Sequence, residues 1–283
     1  MTRTLLCIHP HPDDESIACG GVLARSAAVG VRAVVVTCTG GEEGENLAGI
    51  DLGADDLATH RRRELADALS ALGVRHHHAL GYRDSGMIDT PGNAHPDSFH
   101  NADLEEAALR LAAIIRQERP QVVVSDDEAG TYGHPDHVKA HQVTVRAVAL
   151  AADEDAPLDG SPWRVEKRYV HTMGRTRLLA AHRAFLSAGI PSPFGDEDLV
   201  SVDDLPFGVP DELVTAEIDV IDVLDRKRAA MAAHRSQIGE ESFFLNTPET
   251  LVGGFFGYEQ FVLEDGRPGP ELPEDDLFAG LAS

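Results

Sequence analysis

The sequence has few lysines, few aromatic residues and little positive charge. Lys139, Lys167 and Lys227 are its only lysines, and aromatic side chains make up 5% of the 283 residues. Twenty-four basic against 48 acidic residues leave a formal charge of −24. Such a surface repels the phosphates of nucleic acids and argues against them as partners. Cysteine is also scarce. Cys7, Cys19 and Cys38 are odd in number and form no CxxC pair, which excludes a disulfide framework and reads as reduced core residues of a cytoplasmic protein. No apolar run approaches the roughly 20 residues of a membrane helix. The opening MTRTLLCIHP is broken by His9 and Pro10, so it does not read as a secretory signal. Neither GxGxxG nor GxxxxGK[ST] occurs, which counts against a nucleotide-binding module despite the pairs Gly20-Gly21 and Gly40-Gly41.

What is present is a 42% hydrophobic chain, enough for a sizeable core. Its first half alternates strand and helix patterns. Residues 4–8, 31–39 and 120–126 are short apolar or β-branched runs, as expected of parallel strands covered on both faces. Residues 17–29, 56–72, 104–117 and 137–152 carry helical spacing, with Gly73 placed to close the second of these. This order predicts an α/β fold: a Rossmann-like, mainly parallel sheet with helices on both faces. The second half predicts a strand over 163–173, a helix over 175–188, a long loop or lid over 190–210, an edge strand over 213–220, an amphipathic helix over 223–237, and an acidic, Pro-rich surface wrap over 265–276. A soft boundary near residue 155 divides a catalytic core (1–155) from a smaller C-terminal region (156–283) that completes the sheet and caps the pocket.

Ligands of parallel α/β sheets bind beyond the carboxyl ends of the strands. Two polar clusters fall there: His9-Pro10-His11-Pro12-Asp13-Asp14-Glu15 after the first strand, and Tyr132-Gly133-His134-Pro135-Asp136-His137 after the strand at 120–126. His11 and Asp14, three apart at a strand-to-helix turn, can converge on one point, and His137 can join them from the second loop. An imidazole–carboxylate–imidazole set suits zinc or Fe(II) and leaves a coordination position for water, which a catalytic site requires. Asp13 is placed as general base. Either cluster alone reads equally as a helix cap; both at successive strand ends favour a metal site. His141 shares a helical face with His137 and is a weaker ligand candidate. His9 reads as support behind the ligands, and His76-His77-His78 as cross-strand or solvated packing.

His11-Pro12-Asp13-Asp14-Glu15, Gly40-Gly41-Glu42-Glu43-Gly44-Glu45 and Gly133-His134-Pro135-Asp136-His137 resemble, in order and spacing over residues 3–150, the PIG-L/LmbE-like deacetylases. These are zinc-dependent hydrolases of N-acetylglucosamine-type substrates. The resemblance implies His11, Asp14 and His137 as metal ligands and Asp13 as base and later acid. It implies His134 as the cation facing the oxyanion, Asp136 as the group orienting His134, Tyr132 as a mobile tyrosine over the substrate, and Asp127 as support for the ligands. Arg61 and Asp84 match sugar-contacting positions. Within the family the chain is most similar to the mycothiol-pathway branches. Glu42-Glu43-Gly44-Glu45, Arg83-Asp84-Ser85-Gly86-Met87 and Tyr132-Gly133-His134 lean to the N-acetylglucosaminyl-inositol deacetylases, whereas Ala233-His234-Arg235-Ser236-Gln237-Ile238 and Phe243-Phe244 resemble the mycothiol S-conjugate amidases. The implied partner is a small amino sugar or amide. A non-catalytic sugar-binding module is the competing reading, and Asp13 beside three ligands argues against it.

Overall fold

The computed structural model describes residues 3–192, 194–195, 199, 201–205 and 207–282. Part of the expected loop over 190–210 therefore lies outside the described residues.

The first half follows the predicted alternation. Strand β1 (Thr4–His9) leads into two short helices, α1 (Asp14–Ala18) and α2 (Gly20–Ala28), and then β2 (Arg32–Thr39). The expected single helix over 17–29 is thus divided at Cys19 and begins earlier, at Asp14. Helix α3 (Leu57–Leu72) starts under the Asp56 carboxylate, which accepts from the Thr59 N–H, and ends at Gly73 with φ 77°. That left-handed cap is the one its sequence forecast. Strand β3 (His76–Tyr82), helix α4 (Leu104–Glu118) and strand β4 (Val122–Ser125) follow. A single turn, α5 (Gly130–Gly133), precedes the long helix α6 (Pro135–Ala152).

The second half contributes β5 (Lys167–Thr172), α7 (Arg175–Ser187), β6 (Ala216–Asp219), α8 (Leu224–Ala233), α9 (Phe243–Asn246), α10 (Glu249–Phe256) and β7 (Tyr258–Gly266). All seven strands form one sheet in the order β3-β2-β1-β4-β5-β7-β6. The first five are mutually parallel, and β7 runs antiparallel to both β5 and β6.

Alternation along β1 explains the two cores. Leu5 and Cys7 face one side with Leu23, Leu65, Leu69 and Ala230; Leu6 and Ile8 face the other with Leu111, Ile115, Val143 and Ala147. Both faces of a central parallel strand are dry, so it reads as an unbroken apolar run. Strand order reverses between β1 and β4, since β2 and β3 lie to one side and β5 to the other. That switch point opens a crevice at the strand carboxyl ends, and both polar clusters leave the sheet there.

Candidate metal and catalytic site

His11 and Asp14 come from the turn between β1 and α1, and His137 from the first turn of α6. The structure brings these three sequence-nominated ligands together. Asp14 Oδ2 lies 3.3 Å from His11 Nδ1 and 3.6 Å from His137 Nε2. Nitrogens of His11, His134 and His137 lie within 4.8 Å of one another.

Each candidate ligand histidine turns its other ring nitrogen to a buried aspartate. His11 Nε2 is 3.2 Å from Asp136 Oδ2, and His137 Nδ1 is 2.6 Å from Asp126 Oδ1. Such pairs fix the tautomer and ring orientation of a metal ligand. His137 Nε2 is left buried with no hydrogen-bond partner, an arrangement that costs free energy unless something binds it. Electrostatics point the same way. Burial opposes the charged imidazolium of His11, yet Asp136, Asp14 and Asp84 raise its pKa well above the ordinary value. His137 is likewise raised by Asp126 and Asp14 against its burial. Burial would lift Asp14, but His137 and His11 hold it far below the usual carboxylate range. The pocket calls for positive charge, and nitrogen and carboxylate donors suit a divalent transition cation. The residues present therefore fit a metal.

Asp13 occupies an unusual backbone position, φ 128° and ψ −34°. A non-glycine residue there stores about 1–3 kcal/mol of strain and persists only when its surroundings hold it. They do so here. Its N–H donates to Glu15 Oε2 at 3.0 Å, and its carbonyl accepts from the N–H groups of Ser16 and Ile17. Glu15 is in turn held by His234 Nε2 at 2.8 Å. Burial lifts the Asp13 carboxyl to about 6; the Arg61 guanidinium opposes this and Asp14 adds to it.

Arg61 differs from its expected role as a sugar contact. Only 3% of it is exposed. Its Nη1 donates to the Gly41 carbonyl at 2.9 Å, and its Nη2 donates to the Pro12 carbonyl and to Asp13 Oδ2 at 3.2 Å. Both terminal nitrogens thus brace the loop that carries Asp13. Gly41 (φ 69°) permits the approach, since a Cβ there would lie 2.2 Å from Arg61 Nη1. Asp84 is also buried, beside His11. Its Oδ1 accepts from Gly86 N at 2.8 Å and stands 3.4 Å from His11 Nε2.

Two further expectations are corrected in detail. The Asp136 carboxylate serves His11 and Ser85, not His134. Its link to His134 runs through the backbone, with the Asp136 N–H donating to His134 Nδ1 at 3.1 Å. This makes His134 the N-cap of α6. Because Nδ1 accepts, the neutral ring carries its proton on Nε2. Burial and the charge of His11 push His134 down to about 4, with Asp136 offsetting them in part. The geometry therefore offers a neutral N–H donor in place of the expected cation. Second, the aspartate behind His137 is Asp126; Asp127 instead accepts from Thr131 N, closing the turn before α5.

Tyr132 is 59% exposed, and its ring centroid lies 5.1 Å from that of His137 and 6.0 Å from that of His134. It overhangs the site on a turn where Thr131 has φ 61°. A Cβ on Gly130 (φ 69°) would meet Val138 N at 2.9 Å, so that turn requires glycine. His141 Nδ1 is engaged by the Asp126 carbonyl at 3.0 Å, outside the ligand group. His76, His77 and His78 make cross-strand and helix contacts with Arg32, Thr37 and Glu118, as their position beside a strand suggested.

A sheet with its crevice at the switch point, two histidines and an aspartate converging there, and a strained aspartate alongside define a metallohydrolase-like class of α/β protein. The family model described as PIG-L, GlcNAc-PI de-N-acetylase, matches residues 6–148. A relative named 1D-myo-inositol 2-acetamido-2-deoxy-alpha-D-glucopyranoside deacetylase, from Acidothermus cellulolyticus, is 46% identical over 99% of this chain and 96% of its own length. The chain belongs to the PIG-L deacetylase family. Among solved structures, a conserved protein from Thermus thermophilus is 28% identical, with a TM-score of 0.61, covering 96% of this chain and 98% of that one. An N,N'-diacetylchitobiose deacetylase from Pyrococcus horikoshii shares the fold at 22% identity and a TM-score of 0.59, over 92% of this chain and 83% of its own.

Proposed function

We propose that the protein hydrolyses the acetamide of N-acetylglucosaminyl-inositol, releasing acetate and the free amine, with zinc held by His11, Asp14 and His137. The substrate follows from the name of a relative that aligns along nearly the whole chain. The observation that carries the chemistry is the buried, unpartnered His137 Nε2 facing Asp14, with Asp13 next in the chain.

When bound, a divalent cation in this site supplies Lewis acidity toward water and the acetyl carbonyl. Asp13 takes the attacking water's proton and returns it to the departing nitrogen. A carboxyl lifted by burial is better matched to both tasks near neutral pH than an ordinary aspartate. The Nε2–H of His134 donates to the oxygen that gains charge at the acetyl carbon, and the Tyr132 hydroxyl overhead supplies a second donor. His134 is the N-cap of α6, so the positive end of that helix lies beside the same space. Arg61 holds the base in register, while Asp136 and Asp126 keep the two imidazoles oriented. Residues 1–155 form the catalytic core in this reading, and 156–283 complete the sheet and cap the site, reaching it through His234 on Glu15. The three buried, unpaired cysteines fit a reducing cytoplasm. Among the described residues no helix is long and apolar enough to cross a membrane.

The test is amine release from N-acetylglucosaminyl-inositol, N-acetylglucosamine oligomers and a mycothiol S-conjugate. Highest kcat/KM on the first supports the reading. Turnover of the conjugate alone replaces it with an amidase, and turnover of none of them contradicts both.

A further inference from the structure

Asp126 accepts more than the ligand histidine. On its Oδ1 converge His137 Nδ1 at 2.6 Å, His171 Nε2 at 2.9 Å and Thr131 Oγ1 at 3.2 Å. Its Oδ2 is buried with no hydrogen-bond partner. Every donor that fixes the carboxylate therefore acts on one oxygen. Thr131 belongs to the strained turn at φ 61°, a weak anchor. His171 is differently placed. It lies in β5, where Val170 pairs with Ser125 of β4 on one side and His171 pairs with Phe261 of β7 on the other. Its side chain is 12% exposed. His171 also lies outside the residues that match the family model, which end at 148.

We propose that His171 is a positioning residue for the metal site: its Nε2–H, delivered from the rigid sheet, fixes the Asp126 carboxylate so that it accepts from His137 Nδ1 and leaves His137 Nε2 free for the cation. Two imidazoles on one carboxylate oxygen compensate the buried charge further than a single ring does. They also restrict its rotation, and orientation is what an outer partner gives a ligand. The C-terminal half of the chain thereby sets the affinity of a site whose ligands all lie in the N-terminal half. This inference rests on His137 being a ligand, a point that zinc binding by His137→Ala tests separately.

The experiment measures zinc affinity of chelator-stripped protein by competition with a chromophoric chelator, with no substrate present. His171→Leu keeps the volume and loses the donor; it is expected to bind zinc about tenfold more weakly. His171→Gln restores a donor at a similar reach and is expected to recover most of that loss. Combined with Asp126→Asn, the leucine variant is expected to add nothing, since both act through one carboxylate. Wild-type zinc affinity in His171→Leu, or fully additive losses in the double variant, would overturn the proposal. Should His171→Leu not fold, nitrogen-detected histidine spectra of the zinc-loaded wild type decide it. Protons on His137 Nδ1 and His171 Nε2 support the proposal, and a bare His171 Nε2 overturns it.

Discussion

Arg61 Nη2 stands 3.2 Å from Asp13 Oδ2 and also donates to the carbonyl of Pro12, the residue before Asp13. One guanidinium thus holds both the side chain and the incoming backbone of the proposed base. Removing it leaves a largely buried carboxylate and two carbonyls short of donors. We expect Arg61→Ala to lose about 3–5 kcal/mol of stability and most of its turnover. Arg61→Lys is expected to recover little, because a single ammonium cannot span Gly41, Pro12 and Asp13 as the fork does. Denaturant melts and kcat on the same samples check this. A lysine variant with wild-type kcat would show that the fork geometry is dispensable.

Asp13 itself is expected to be separable from metal binding. Asp13→Ala should keep its zinc yet lose about 10²–10⁴ in kcat, the usual worth of a positioned base. Elemental analysis and amine release on one preparation measure both. Loss of zinc together with activity would instead make Asp13 part of the ligand set.

His134 tests whether the oxyanion donor is neutral. His134→Ala should lower kcat about 10²–10³-fold, the worth of one such donor. His134→Gln, which donates without charge, should regain a substantial part of it. Equal loss in both variants would argue that a positive ring is required.

Away from the site, Glu118 joins α4 to β2 and β3 through Arg32 and His78. Burial acts to raise its carboxyl, but Arg32 and His78 outweigh it and hold the group below its ordinary value of 4.5. A carboxyl depressed in the folded state stabilises it above the unfolded value, and that contribution is lost as pH falls through the folded one. The stability gap between wild type and Glu118→Gln should therefore be full near neutral pH and shrink below about 4.5. Denaturant midpoints across an acid series measure the gap, and one that stays constant throughout refutes this role.

Much of the candidate site was legible because its residues are local in sequence. Two short motifs at strand ends carry His11, Asp13, Asp14, His134 and His137, and strand ends are where α/β sheets place ligands. The partners behind them were harder to read. Asp126 and Asp127 are adjacent, and which of them faces His137 depends on where β4 stops; it stops at Ser125, leaving Asp126 at the mouth of the crevice. His171 gave no local signal, because its meaning comes from β5 lying beside β4. The family resemblance assigned Asp136 to His134, yet its side chain crosses to His11, 125 residues earlier in the chain. Strand β7 and helices α9 and α10 also escaped the sequence reading. The phenylalanines of residues 243–256 pack mainly with one another and with Leu224 and Val252, a small cluster whose spacing matches no single amphipathic period.

In the proposed site His11, Asp14 and His137 grip one divalent cation. The most direct test of this assignment is metal stoichiometry by elemental analysis, after exhaustive dialysis, of wild type, Asp13→Ala and His137→Ala. Close to one zinc per chain is expected in the first two and almost none in the third. Undiminished zinc in His137→Ala would contradict it and place the cation on other donors.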